Sequence, residues 1–218
     1  MFIRSRRRIE HEILDEQTPD GGRRSLRDLV RINRYLGGHE ALRCALRQVA
    51  PDEPFTVLDV GAASGDSGAV MRVSFPQASI FSLDYKAHHL REASQPKLAA
   101  DAFRLPFAPD SFDLVTCSLF LHHFTDDQIV VLLRGFSRVA RRAVIINDLE
   151  RHRLAYYFLP ATRWLFGWDR ITLHDGPISV QAAFTERELR ALAERAGFRN
   201  IQTRVHRPAF RITVVGSR

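Results

Sequence analysis

The chain has 218 residues, 45% of them apolar and 26% charged, which is the composition of a globular protein with one main core and excludes wholesale disorder. Its net charge of +7 raises nucleic acid or an anionic membrane as a partner. The arginines are scattered over segments that read as amphipathic helices, however, and no basic strip interleaved with aromatics appears beyond Arg4 to Arg8. A solvated basic face is therefore preferred, nucleic acid is disfavoured, and peripheral membrane association is the remaining reading of the charge.

Two cysteines, Cys44 and Cys117, lie far apart in segments read as buried helix and buried strand, so packing is preferred over a disulfide or a metal site. Arg4 to Arg8 is followed by Ile9-Glu10-His11-Glu12 and not by an apolar run, and no stretch approaches the roughly 18 apolar residues of a membrane span. A cytoplasmic protein is expected.

In chain order, residues up to Gly22 read as a peripheral arm ending in the turn Thr18-Pro19-Asp20-Gly21-Gly22. Leu26, Leu29, Val30 and Ile32 recur at helical intervals until Gly37-Gly38, and a second helix follows over Glu40 to Ala50. Arg31, Asn33 and Tyr35 are candidates for a pocket wall. Thr56 to Val60 reads as a buried strand that breaks into a small-residue loop, Gly61-Ala62-Ala63-Ser64-Gly65, before a helix to about Phe75. A second strand, Ser79 to Asp84, precedes a helix predicted over Tyr85 to Ser94. Phe112 to Cys117 is a strong strand, Asp126 to Val139 a helix capped by Thr125 or Asp126, and Ala143 to Ile146 a strand ending at Asn147-Asp148.

Residues 149 to 182 show irregular periodicity and concentrate large rings, including both tryptophans, and they read as a lid insertion. Ala183 to Gly197 reads as a helix with a Thr185/Glu188 capping box, and Phe198 to His206 and Ala209 to Val215 as an antiparallel pair turned at Arg207-Pro208. Alternating strands and helices predict an α/β fold, a doubly wound and mostly parallel sheet whose ligands bind beyond the carboxyl ends of the strands. The domain reading is a helical arm or cap over 1–52 and a ligand-binding domain over 53–218. Asp59, Asp84, Asp101, Ser118 and Asp148 all fall at or just past strand ends.

The glycine loop lacks the Gly-Lys-Ser/Thr of a phosphate loop and the full pattern of dinucleotide enzymes. A carboxylate two residues before its first glycine favours a cationic ligand over a phosphate. Asp84 stands nineteen positions beyond Gly65, the spacing at which an acid accepts hydrogen bonds from ribose hydroxyls.

On Val57 to Gly65, Asp84, Ala100 to Phe107 and Ser111 to Phe124, the chain resembles the class I S-adenosylmethionine-dependent methyltransferases, in their ubiquinone/menaquinone methyltransferase-like small-molecule branch. The resemblance implies a seven-stranded sheet with an antiparallel C-terminal strand and S-adenosylmethionine as cofactor. It implies contacts from Asp59, Gly61, Ala62, Gly65, Asp84, Tyr85, Asp101, Ala102, Phe103 and Ser118. It departs at Ala63, where many relatives carry glycine.

A sulfonium is its own leaving group, so no metal is required and the protein mainly aligns the acceptor. The rings of the lid, with Tyr156, Tyr157, Trp164 and Trp168 foremost, predict an apolar pocket for a hydrophobic small molecule. His174, followed by His122 and His123, and Asp148 are the candidates for a base. O-methylation of a phenolic or quinol-type acceptor is expected. The alternatives are C-methylation of a quinone- or polyketide-like ring, and a nucleic-acid-binding or non-catalytic module of the same fold.

Overall fold

A computed structural model describes residues 6–16 and 21–218. Thr18-Pro19-Asp20 of the expected turn, and Arg4 and Ser5, lie outside the described residues. Fourteen regular elements follow one another: α1 (Arg23–Tyr35), α2 (Gly38–Leu46), β1 (Phe55–Val60), α3 (Asp66–Ser74), β2 (Ala78–Asp84), β3 (Lys97–Ala99), β4 (Phe112–Ser118), α4 (Asp126–Val139), β5 (Ala140–Leu149), α5 (Arg153–Phe166), α6 (Arg170–Ala182), α7 (Glu186–Arg195), β6 (Arg199–His206) and β7 (Arg211–Ser217).

The strands form one seven-stranded sheet in the order β3-β2-β1-β4-β5-β7-β6, in which β7 alone runs antiparallel to its neighbours. Central strands of a parallel sheet are covered on both faces, and β1 and β4 are accordingly buried almost throughout. Leu58, Val60, Val115, Cys117 and Ile146 face Leu133 and Phe136 of α4 and Leu189 and Leu192 of α7. Val57, Leu114, Ile145 and Val215 face Leu42 and Leu46 of α2 and Met71 of α3. The crossover of strand order between β1 and β4 opens a crevice at the carboxyl rim of the sheet.

Local chemistry sets the helix ends. Thr125 and Gln128 form a capping box on α4, and Thr185 and Glu188 form the expected one on α7. Three expectations are corrected. The predicted helix over Tyr85 to Ser94 is only a single turn at His89–Arg91, because the Lys97 ammonium draws the carbonyls of Leu90, Arg91 and Ala93 together. The irregular lid is two helices, α5 and α6, that carry Pro160 and Pro177 in their interiors. They pack on each other closely enough that a Cβ on Gly176 would sit 2.2 Å from Leu159 Cδ1, and this packing overrides the local breaking signals. Cys44 is half-buried and not buried; it and Cys117 are both free thiols.

The arm is not peripheral either. Arg7 is tucked against the Phe184 ring at 4.1 Å, donates to the carbonyls of Ala182, His122 and Phe124, and pairs with Asp126 at 2.6 Å. The backbone N–H groups of Ile13 and Leu14 both donate to the Asp175 carboxylate. These contacts carry Glu12 to the carboxyl rim of the sheet. No helix among the described residues is long and apolar enough to cross a membrane.

Candidate functional site

The rim crevice widens into a cavity of about 1590 Å³, larger than the roughly 300–1,000 Å³ of a single small-molecule site and therefore able to take two ligands side by side. One end is built by the loops after β1, β2 and β3, and the other by α1, α5, α6 and the β6–β7 turn.

At the first end, Gly61 and Gly65 have φ of 70° and 78°, and each is closely covered: a Cβ on Gly61 would lie 2.5 Å from the Phe120 ring, and one on Gly65 2.7 Å from Ala93 Cβ. Ala63 between them also adopts a left-handed φ of 45°, and its N–H donates to Asp84 Oδ2 at 3.0 Å. Asp84 Oδ1 accepts from the Lys86 N–H at 3.0 Å and lies 3.4 Å from His89 Nδ1. Burial pushes the Asp84 carboxyl up, but His89 and the two amides outweigh it and hold the group below its ordinary value, hence ionised. Asp101 accepts from the Phe103 N–H, capping the turn that sets Ala102 and Phe103 in the cavity wall.

Asp59 lies beneath this loop. It is fully buried, accepts from Thr116 Oγ1 at 3.1 Å through one oxygen and has no partner for the other. Burial pushes its carboxyl up to about 7, with only Thr116 and Arg72 opposing. Asp59, Ala62, Gly65 and Ser118 therefore stand behind the surface, whereas Gly61, Ala63, Asp84, Tyr85, Asp101, Ala102 and Phe103 form it.

Between the two ends stands a histidine dyad. His122 Nδ1 and Asp148 Oδ1 are 2.7 Å apart, and Asp148 is otherwise held by the N–H groups of Leu121 and Leu149. The His122 Nδ1–H donates to the Asp148 carboxylate, and in the neutral ring this leaves Nε2 as an acceptor. Burial lowers the His122 pKa, but the charge and hydrogen bond of Asp148 overcome it and raise the group above its ordinary value. Burial and the charge of His122 bring its neighbour His123 down to about 3, so that ring is neutral. Glu12 Oε1 lies 3.9 Å from both His122 Nε2 and His123 Nδ1 and accepts from Ser179 Oγ at 2.5 Å. No metal is expected from the sequence, yet these three residues bring ligand atoms within 4.8 Å of one another, a spacing at which a divalent ion could be held.

His174, the foremost candidate base, is placed elsewhere. It lies on α6 outside the cavity wall, its side chain is 49% exposed, and its Nδ1 faces Asp175. Among the lid rings, Tyr157 and Phe158 line the cavity and Tyr156 does not. Trp164 is 86% exposed beside Arg163, and buried Trp168 donates to Thr162 Oγ1 and lies under Arg31, a structural post. Of the α1 candidates, Tyr35 lines the cavity and Asn33 is buried behind it.

Residues 57–143 match a family described as methyltransferase domain. The matched stretch holds the glycine loop, Asp84 and Asp101. It is 31% identical over 125 residues to a demethylmenaquinone methyltransferase of Roseiflexus sp. strain RS-1, covering 54% of this chain and 51% of that one. It is 28% identical over 163 residues to a malonyl-[acyl-carrier protein] O-methyltransferase of Geobacter sulfurreducens, covering 69% and 58%. Human N-acetylserotonin methyltransferase, solved in complex with S-adenosylmethionine, shares the fold with a TM-score of 0.67 at 15% identity, over 92% of this chain and 56% of that one. The chain thus spans about half the length of curated relatives it matches.

S-adenosylmethionine, the cofactor that the resemblance implies, fits the first end of the cavity on chemical grounds. Ionised Asp84 has lone pairs left for ribose hydroxyls, and the glycine loop exposes backbone. Asp84 and Asp101, after β2 and β3, suit a cationic ligand better than a phosphate.

Sequence reasoning missed Arg7, Glu12, the α1 positions Leu29 and Ile32, and Arg211 as parts of this site. Only Arg211 carried a signal, as a charge opening an otherwise apolar strand.

Proposed function

We propose that this protein methylates an oxygen of a hydrophobic small molecule of phenolic or quinol type, with His122 as general base and Asp148 holding it. The observation that carries this reading is the buried His122–Asp148 dyad, which opens into the same cavity as the glycine loop and Asp84. S-adenosylmethionine, when bound, supplies an activated methyl group on a sulfonium that leaves as a thioether. The chain supplies the rest. Leu26, Leu29, Ile32, Leu154, Tyr157 and Phe158 offer an apolar wall that excludes water and orients a ring. His122 Nε2 accepts the hydroxyl proton as the new carbon–oxygen bond forms, and the resulting imidazolium is stabilised by Asp148.

The relatives support the acceptor class, since one is named for demethylmenaquinone and another for O-methylation. The first name also favours a second reading, methyl transfer to a ring carbon of a quinol, for which the same dyad would ionise the ring hydroxyl. The test is an assay of purified protein with S-adenosylmethionine and a panel of alkylated phenols and quinols, with the methylated atom located by mass spectrometry and NMR. The rate is expected to rise with pH through a midpoint above 6.5, because His122 acts when neutral and its pKa is raised. Transfer only to polar amines or nucleic acid would remove the reading.

A further inference from the structure

The cavity contains a buried cation that the cofactor and the dyad leave unexplained. Arg211, at the first position of β7, is 4% exposed and lines the cavity beside Ala209 and Phe210. Its guanidinium has five N–H donors, yet it makes a single hydrogen bond, from NH2 to Asn33 Oδ1 at 3.0 Å, and its Nε is buried without a partner. No carboxylate among the described residues lies within 4.0 Å of it. The nearby acids are already engaged: Asp148 with His122, Glu150 with Arg207, and Glu40 with Arg43 and Arg47. Burial brings the Arg211 pKa down to about 10, which leaves it charged at neutral pH.

A buried, charged and mostly unsatisfied guanidinium is destabilising unless an anion meets it. If its task were only to brace α1 through Asn33, a glutamine could make the same bond without burying a charge. The planar fork of arginine is the group that takes a carboxylate through two parallel hydrogen bonds.

We propose that Arg211 is the recognition group for a carboxylate on the methyl acceptor, so that the acceptor is a hydrophobic acid whose apolar body lies along α1 and α5. The inference rests on the methyltransferase reading for the placement of the acceptor. Strand order favours the acceptor over the cofactor as the source of the anion. The adenosine-side residues Asp84 and Asp101 follow β2 and β3, whereas β7 lies three strands beyond β1 in the opposite direction. That is about 14 Å at the usual strand spacing. Arg204, on β6 close to the same turn, adds positive charge to the cavity lining, which would draw an anionic acceptor in.

The test uses the full chain saturated with S-adenosylhomocysteine and a matched pair of probes, a 4-alkylbenzoate and the corresponding neutral 4-alkylbenzamide, by calorimetry. The benzoate is expected to bind at least about tenfold tighter, from one charge-assisted pair. Arg211→Gln is expected to abolish that preference while leaving benzamide affinity within about threefold. Equal binding of the two probes to the unaltered protein overturns the proposal, as does a preference that survives Arg211→Gln. If Arg211→Gln does not fold, Arg211→Met gives a neutral chain of similar length, and the comparison on the unaltered protein stands by itself. Loss of S-adenosylhomocysteine affinity in Arg211→Gln, with acceptor preference intact, would assign the arginine to the cofactor and overturn the acceptor assignment. Failure of the unaltered protein to bind S-adenosylhomocysteine would instead strike the methyltransferase reading, and the benzoate preference measured without cofactor would still report on Arg211.

Discussion

The two ends of the cavity are built in different ways. The end proposed for the cofactor is assembled from strand-end loops within one run of the chain, Gly61 to Phe103, and its parts are tied to each other by backbone N–H groups that donate to two carboxylates, Ala63 and Lys86 to Asp84 and Phe103 to Asp101. The acceptor end is assembled from Glu12, α1, α5, α6 and the β6–β7 turn, which meet only in three dimensions, and its polar groups are tied by side-chain contacts such as His122 to Asp148 and Arg211 to Asn33. Geometry held through backbone donors tolerates side-chain exchange everywhere but at the two carboxylates. Side-chain-held geometry does not, so the acceptor end should carry the rate and the cofactor end the affinity.

The largest effect expected from this division is at His122. His122→Ala should lower kcat by about 10²–10⁴ while S-adenosylhomocysteine affinity, measured by calorimetry, stays within about threefold. His174→Ala should leave kcat within about twofold, because that ring lies outside the cavity. A rate that survives the first substitution but not the second would reverse the roles. Next in size is Asp84→Ala, which should weaken S-adenosylhomocysteine binding by about 10–100-fold through lost charge-assisted hydrogen bonds. The same substitution should change kcat at saturating cofactor much less.

The same division explains what could be read from the residues before any coordinates. Asp84 and Gly61 were legible because a strand, a glycine and an acid at fixed spacing report a local geometry that recurs. The sheet was legible for the same reason, from β-branched runs alternating with amphipathic helices. His174, the foremost candidate base in the sequence, lies outside the cavity wall, because turn residues around a histidine say nothing about which way the ring faces. Here Asp175, which holds that ring, is itself bound to the N–H groups of Ile13 and Leu14, more than 160 positions away. Pro160 and Pro177 hid α5 and α6 for a related reason, since helix breaking is local whereas the packing that tolerates it is not. Arg7 and Glu12 had no signal in their own neighbourhood at all.

Asp59 probes the base of the cofactor end by pH. Its folded value of about 7 lies above the model-peptide value of 3.8. On raising the pH from about 4 to about 7 the unfolded chain therefore loses this proton first, and stability falls across that window. Asp59→Asn should remove this slope. It should raise Tm by roughly 2–6 °C at pH 8, corresponding to about 1–2 kcal/mol, and change it little at pH 4. Thermal melts at the two pH values decide it. An equal shift at both would show that packing, and not ionisation, governs the position.

The smallest expected effect bears most directly on how the loop is held. Ala63 sits at a φ of 45°, where an L residue carries roughly 1–2 kcal/mol of steric strain. Its N–H is nevertheless committed to Asp84, so the loop keeps that geometry despite the cost. Glycine would relieve the strain but would lose roughly 0.5–1 kcal/mol to the greater freedom of the unfolded chain. The difference leaves Ala63→Gly more stable by about 0.5 kcal/mol, or about 1–2 °C in Tm for a chain of this size. Cofactor affinity should stay within about twofold, because the Ala63 N–H to Asp84 bond is a backbone bond that glycine keeps. A fall in affinity beyond about fivefold would mean that the Ala63 methyl itself touches the cofactor. In that case the cofactor end would depend on side-chain contact as much as the acceptor end does.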